Sequence, residues 1–192
     1  MQDGESMTVG DVTFIVEGPS SSILTAERLV LNCMQRMSGI ATKTQHIVKL
    51  LEGTKAQVLD TRKTTPGIRL LEKWAVKIGG GINHRFGLYD MMMIKDNHID
   101  FAGSIESAIE KAINYQKDKE INIPIEVEAR NLEEVNEILR VGNIQRIMLD
   151  NFSYDDTLIA VEEIGGRFET ESSGGITEDN IRKYALCGVD FI

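Results

Sequence analysis

The chain of 192 residues has a formal net charge of −9, with 42% hydrophobic and 27% charged residues. That length suits one domain, or one domain with an appendage, and that composition excludes a disordered or fibrous chain. Strong acidity argues against nucleic acid as a partner; no apolar run approaches a bilayer span and MQDGESMTVGD has no secretory pattern, so a cytoplasmic protein without a membrane partner is expected.

Residues 12–17, VTFIVE, alternate in part and stop at Gly18-Pro19, which predicts a short strand and a turn. From Thr25 the apolar residues Ala26, Leu29, Val30, Cys33, Met34 and Met37 follow helical spacing, with Arg28, Asn32, Gln35 and Arg36 on the other face. Gly39 is expected to interrupt this helix, and a second run through Ile47, Leu50 and Leu51 should end at Gly53. Residues 1–54 thus form a leading segment. Cys33 and Cys187 make neither a disulfide framework nor a metal spacing and read as core thiols.

From residue 56 strands and helices alternate. AQVLD is a strand, Thr65 should cap a helix with Pro66 at its first position and Leu70, Leu71, Trp74 and Ile78 inward, and LYDMMMI is the second strand. Ser104 caps a helix with Ile105, Ala108, Ile109, Ala112 and Ile113 buried. IPIEVEA follows, then a helix opened by the pair Asn131 and Glu134, then IQRIMLD. A helix with Leu158, Ile159 and Val161 leads to RFETE, and Thr177 should cap NIRKYAL before VDFI. Six strands joined by five helices imply a parallel sheet with right-handed crossovers. Polar residues recur at the carboxyl ends of the first five strands: Arg62 and Lys63, Lys95 and Asp96, Glu128, Asp150, Ser172 and Ser173. A TIM-like barrel gathers such ends around one axis, whereas an open sheet spreads them along a line, so the barrel is favoured over residues 55–192. VDFI has no following element to cover it and six strands do not close a barrel by themselves, which points to a truncated chain.

Charge singles out residues 60–98. They carry seven Lys and Arg against four Asp and Glu, a net +3, so the remainder carries −12. Arg62, Lys63, His84, Arg85 and Lys95 lie where strands end and loops begin, the arrangement of an anion site. His46, within a helix, reads as an ordinary helical side chain.

TRKT, GGGxNHR and MMMIKDNH, preceded by ERLVLNCMQRMSGIATKT and followed by EVE, LDNF and SSGGIT, resemble quinolinate phosphoribosyltransferase (nicotinate-nucleotide pyrophosphorylase, carboxylating) in order along nearly the whole chain. The resemblance implies an α/β fold, an incomplete TIM-like βα barrel preceded by the end of an α/β sandwich domain. It implies transfer of phosphoribose from 5-phosphoribosyl 1-pyrophosphate to quinolinate with decarboxylation, giving nicotinate mononucleotide for NAD biosynthesis.

On this pattern Arg62, His84, Arg85 and Lys95 would hold quinolinate, and Lys63 would lie near the pyrophosphate. Glu128 and Asp150 would face the ribose hydroxyls and Mg2+, partly through water. Lys63, Lys95, Glu128 and Asp150 are the expected catalytic residues. Glu126 points off its strand the same way as Glu128. Ser172, Ser173, Gly174 and Gly175 lead into a helix N-terminus that could take a phosphate. Arg28 would reach the quinolinate of a neighbouring subunit in a homodimer or dimer-based oligomer. Two other readings stay open: a barrel aldolase or isomerase acting on a sugar phosphate with Lys95 as Schiff base, and a non-catalytic anion-binding module.

Overall fold

Regular structure begins at Ser20. In the computed structural model, which describes residues 1–192, helix α1 (Ser20–Leu50) runs unbroken through Gly39. One glycine costs a helix only about 1 kcal/mol, too little to end one of this length. Residues 12–17 form no strand: they have no partner chain segment, and Phe14, Ile15 and Val16 are exposed. Alternation alone does not make a strand without a neighbour to bond. The apolar stripe of α1 is covered unevenly, since Leu24, Leu29 and Val30 are exposed while Thr44, Ile47 and Leu50 meet the body of the protein. The close approach occurs at the Gly79–Gly81 turn, where a Cβ on Gly79 would lie 2.7 Å from Thr44 Cβ.

Helix α2 (Arg69–Ile78) is inverted relative to expectation. Leu70 and Trp74 are 66% and 50% exposed, and Glu72, Lys73 and Ala75 face inward. Thr65 does not cap the helix: its N–H and hydroxyl donate to Glu72, which Arg36 of α1 also engages through Nε at 3.0 Å. These polar partners outweigh the apolar periodicity because a buried carboxylate must be satisfied.

Four parallel strands follow, β1 (Met92–Ile94), β2 (Ile125–Ala129), β3 (Arg146–Asp150) and β4 (Glu169–Ser173), paired in sequence order. Helices α3 (Asp96–Ala102), α4 (Ile105–Lys119), α5 (Leu132–Val141), α6 (Tyr154–Ile164) and α7 (Ile181–Leu186) lie between and after them. Ser104 and Asn131 cap α4 and α5 by accepting from Ser107 and Glu134 N–H. Glu134 returns its carboxylate to Arg130 N–H rather than to the cap residue. Thr177 does not cap α7; Asn180 bonds to Thr177 N–H and Gly175 C=O, closing a loop that delays the helix to Ile181.

The expected first and sixth strands appear as isolated parallel bridges, Gln57 to Phe191 and Glu171 to Phe191, and Leu59 bridges to Ile82. VDFI is therefore covered after all, lying between β4 and residues 57–59 with Val189 fully buried. The sheet curls from β1 through β4 and Phe191 to Leu59 and Ile82, and its opening lies between Ile82 and β1. The 83–91 loop spans that gap, with Arg85 Nη1 donating to Met91 C=O at 3.2 Å.

Strand alternation sorts the side chains into two layers. Ile125, Val127, Ala129, Ile147 and Leu149 form the core beneath the helices. Glu126, Glu128, Arg146, Met148, Asp150 and Glu171 take the other face, inside the curl. Each fully buried aliphatic side chain in the helix layer contributes about 1.5–3 kcal/mol, so stability lies there and the interior is left to charge.

Candidate active site

The cationic residues converge at the carboxyl ends of the strands. Strand residues 57–59 deliver Asp60, Arg62 and Lys63, and the short Ile82 bridge delivers His84 and Arg85 beside them. Arg62 and Lys63 are exposed, whereas Arg85 is buried. Burial and then the neighbouring Arg62 guanidinium push the Arg85 pKa down, more than the Glu126 and Asp90 carboxylates push it up. The buried Nε of Arg85 has no hydrogen-bond partner. A buried orphan donor on a guanidinium is costly unless a ligand meets it, and the forked donors of two arginines match planar carboxylates.

His84 is enclosed. Its Nδ1 accepts from Arg85 N–H at 2.7 Å, which leaves the proton on Nε2, 2.7 Å from Glu126 Oε2. Burial pushes its pKa down, so the ring is neutral. Both ring nitrogens are engaged, so His84 sits beside the cationic space without a free nitrogen directed into it. Below it, Glu126, Glu171 and Arg146 form a column inside the curl, with Arg146 Nη1 3.1 Å from Glu171 and its guanidinium 3.9 Å over the Phe191 ring. Burial, then Glu126, push the Glu171 pKa up to about 8, so the acid pair retains a proton at neutral pH. His84, Glu126 and Glu171 are close enough to surround a cation. Arg146 and that proton already balance the charge there, and His84 has no lone pair to spare.

Lys95 and Glu128 are paired, with Nζ to Oε2 at 2.6 Å. A Schiff-base lysine needs a free neutral amine, and this one is held by a carboxylate. Asp150 ends β3 on the same interior face as Glu128, by the register Glu128 to Met148 and Asp150 to Ser173. Its carboxylate accepts from Asn151 Nδ2 at 2.7 Å. Two carboxylates on adjacent strand ends suit a hard cation that takes one or two carboxylates and completes its shell with water and phosphate, so Mg2+ fits this donor set.

Gly174 packs against Asn151: its φ is +86°, and a Cβ there would lie 2.9 Å from Asn151 N, so the two turns pack only with glycine. Gly175 follows with φ +64°. Ser173 shares the face of Asp150, whereas Ser172 pairs with Leu149 and points toward the helices, its buried Oγ unpartnered. The helix N-terminus expected behind these glycines lies farther on, at Ile181. Arg28 lies on the exposed amino half of α1.

Sequence reading missed Asp60, Arg69, Lys73, Arg146 and Glu171. The signal for Lys73 was its place one turn after Arg69, which stacks the two cations on one side of α2. A cavity of about 600 Å3 lies at the other end of the strands, lined by Lys55, Gln145, Arg146, Glu169 and Asp190 among others. Lys55 is paired there with Asp190 and Arg146 with Glu169, while Arg167 donates only to the Ile164 and Glu163 carbonyls.

Comparison with known proteins matches residues 40–192 to the quinolinate phosphoribosyl transferase C-terminal domain and residues 1–38 to the N-terminal domain of that family. A chloroplastic nicotinate-nucleotide pyrophosphorylase [carboxylating] of Arabidopsis thaliana is 47% identical over 205 residues, covering 100% of this chain and 58% of the relative. A probable nicotinate-nucleotide pyrophosphorylase [carboxylating] of Bacillus subtilis is 43% identical, covering 100% and 65%. The crystal structure of NadC from Streptococcus pyogenes superposes with a TM-score of 0.91 at 40% identity, covering 100% of this chain and 66% of that one. The chain thus spans under two thirds of the length of these relatives. The curled sheet is part of a TIM-like barrel.

Proposed function

Because the chain belongs to the quinolinate phosphoribosyltransferase family, we propose that its carboxyl-end site transfers phosphoribose from 5-phosphoribosyl 1-pyrophosphate to quinolinate with decarboxylation. The products are nicotinate mononucleotide, pyrophosphate and CO2, in NAD biosynthesis. The observation that carries this reading is the buried Nε of Arg85, unmatched within the protein, with the Arg62 guanidinium near enough to repel it. A pyridine dicarboxylate supplies two anions to such a pair.

Arg62 and Arg85 fix the carboxylates and so aim the ring nitrogen at the anomeric carbon, a positioning effect that enzymes use to remove much of the entropic barrier. The nitrogen–carbon bond forms as the bond to pyrophosphate breaks. Lys63, exposed and free of a side-chain partner, meets the leaving pyrophosphate. Asp150 and Glu128 face positive charge developing on the ribose. They would also hold Mg2+, which when bound neutralises the pyrophosphate oxygens. Loss of CO2 leaves its electron pair on the pyridinium ring, and a proton from water replaces the carboxylate. The residues supply orientation and electrostatics rather than proton transfer.

The Lys95 to Glu128 pair must open or turn to admit substrate, since Lys95 is assigned to quinolinate and Glu128 to ribose and metal. Arg28 on the exposed end of α1 supports a homodimer or dimer-based oligomer in which it completes the partner's site. A cytoplasmic setting is part of the same proposal; no helix is long and apolar enough to cross a membrane. The test is incubation with carboxyl-labelled quinolinate, phosphoribosyl pyrophosphate and Mg2+. Equal amounts of nicotinate mononucleotide and labelled CO2 are expected; a folded protein that makes neither overturns the reading.

A further inference from the structure

The two loops that carry Arg62 and Arg85 leave neighbouring strand segments that pair only at the Leu59 to Ile82 bridge, and beyond that bridge another element ties them together. Helix α2 links them at two levels. Arg69 donates through Nη2 to Arg62 C=O at 3.1 Å, through Nε to Thr64 Oγ1 at 3.0 Å and through Nη1 to Phe86 C=O at 2.9 Å. One helical turn on, Lys73 is 1% exposed. Its ammonium donates to Asp60 Oδ1 and, at 2.9 Å, to His84 C=O. Asp60 Oδ1 also accepts from His84 N–H at 2.9 Å, so the His84 backbone is held through both its N–H and its C=O.

A fully buried lysine is an expensive way to fill space, because an apolar pair of the same volume is often as stable or more so. Here both of its partners belong to the two anion-site loops. The spacing of Arg69 and Lys73 by four residues stacks them on one helix face, which explains why α2 turns its polar side inward and leaves Leu70 and Trp74 in solvent.

We propose that Arg69 and Lys73, with Asp60, are positioning residues: a clip on α2 that sets the distance between Arg62 and Arg85 and thereby the fit to a dicarboxylate. This rests on the functional reading above for the ligand, but not for the clip itself. Neither Arg69 nor Lys73 touches the substrate in this scheme. Loosening the clip lets the Arg85 guanidinium move, and a two-carboxylate ligand loses its second contact.

The experiment compares wild type, Arg69→Met, Lys73→Met and Lys73→Met/Asp60→Asn. The Asp60→Asn change keeps an acceptor for His84 N–H, and the double variant leaves neither member of the buried pair charged. Three readouts are taken: urea unfolding, calorimetric quinolinate binding, and hydrogen exchange of the Arg85 Nε–H by NMR. Lys73→Met alone should be the least stable, and the double variant should regain most of that stability. Quinolinate affinity should nevertheless stay about tenfold weaker in the double variant and in Arg69→Met, and the Arg85 Nε–H should exchange roughly tenfold faster, in line with the same loss of restraint. If binding and exchange return to wild type together with stability, the pair is structural only and the proposal fails. A folded wild type that does not bind quinolinate overturns the functional reading instead, and the exchange measurement still decides the clip.

Discussion

Replacing Glu171 with Gln should change how stability depends on pH. Glu171 lies inside the curl against Glu126, Arg146 and His84, and burial followed by the Glu126 charge raises its pKa from the ordinary 4.5 to about 8. Between those values the folded protein keeps a proton that the unfolded chain has released, so stability is fully present below pH 4.5 and is lost as pH rises through 8. His84 works in the opposite sense: burial lowers its pKa from 6.5, so below that pH the unfolded chain takes the extra proton and stability rises with pH. The two oppose each other up to about pH 6.5, and from there to about 8 the raised acids, Glu171 with Glu126 beside it and Asp60 farther off, all act in one direction. One proton gives a slope of about 1.4 kcal/mol per pH unit, hence a loss of about 2 kcal/mol across that window. Glu171→Gln cannot titrate, yet its amide can still donate to Glu126, so its profile should be shallower there by about that amount. Urea unfolding of both proteins at half-unit steps from about pH 6.5 to about 8 makes the comparison. Equal slopes would refute the shared proton.

Arg62→Ala and Arg85→Ala should each remove a charge-assisted contact of about 1.5–3 kcal/mol and weaken quinolinate binding roughly tenfold to a hundredfold, read by calorimetry. Asp150→Asn keeps shape and removes charge, so turnover should fall while quinolinate affinity holds; a parallel loss of affinity would place Asp150 against the ring instead. Arg28→Ala and Arg62→Ala should each be nearly inactive, and mixed dimers of the two should regain part of the activity through one intact site. Mixed dimers that form without recovering activity would put Arg28 within its own chain or outside the site.

Much of this architecture was legible because strand and helix alternate with clean caps, as at Ser104 and Asn131, and because polar residues close successive strands. Arg62 and Arg85 were legible as strand-end cations, and each is near enough to the other for their charges to repel. Other features depend on contacts that periodicity cannot report. VTFIVE alternates but finds no partner strand. Gly39 costs too little to break α1. The face of α2 was misread because its inward position is set by Asp60, Thr65 and His84: Lys73 reaches partners 13 and 11 residues away in sequence, and Glu72 one 7 away. Ser172 was expected at the anion loop, but strand alternation turns it toward the helices. The interior column of Glu126, Arg146 and Glu171 follows from curling the sheet, which places every second residue of each strand around one axis.

The claim at the centre of this account is that Arg62 and Arg85 hold two carboxylates at once. Calorimetric titration of the protein with quinolinate, and separately with nicotinate, tests it most directly, because the two ligands differ by a single carboxylate. Quinolinate should bind roughly tenfold or more tightly, and the preference should vanish in Arg85→Ala. Equal affinity of the intact protein for the two ligands would contradict the dicarboxylate site.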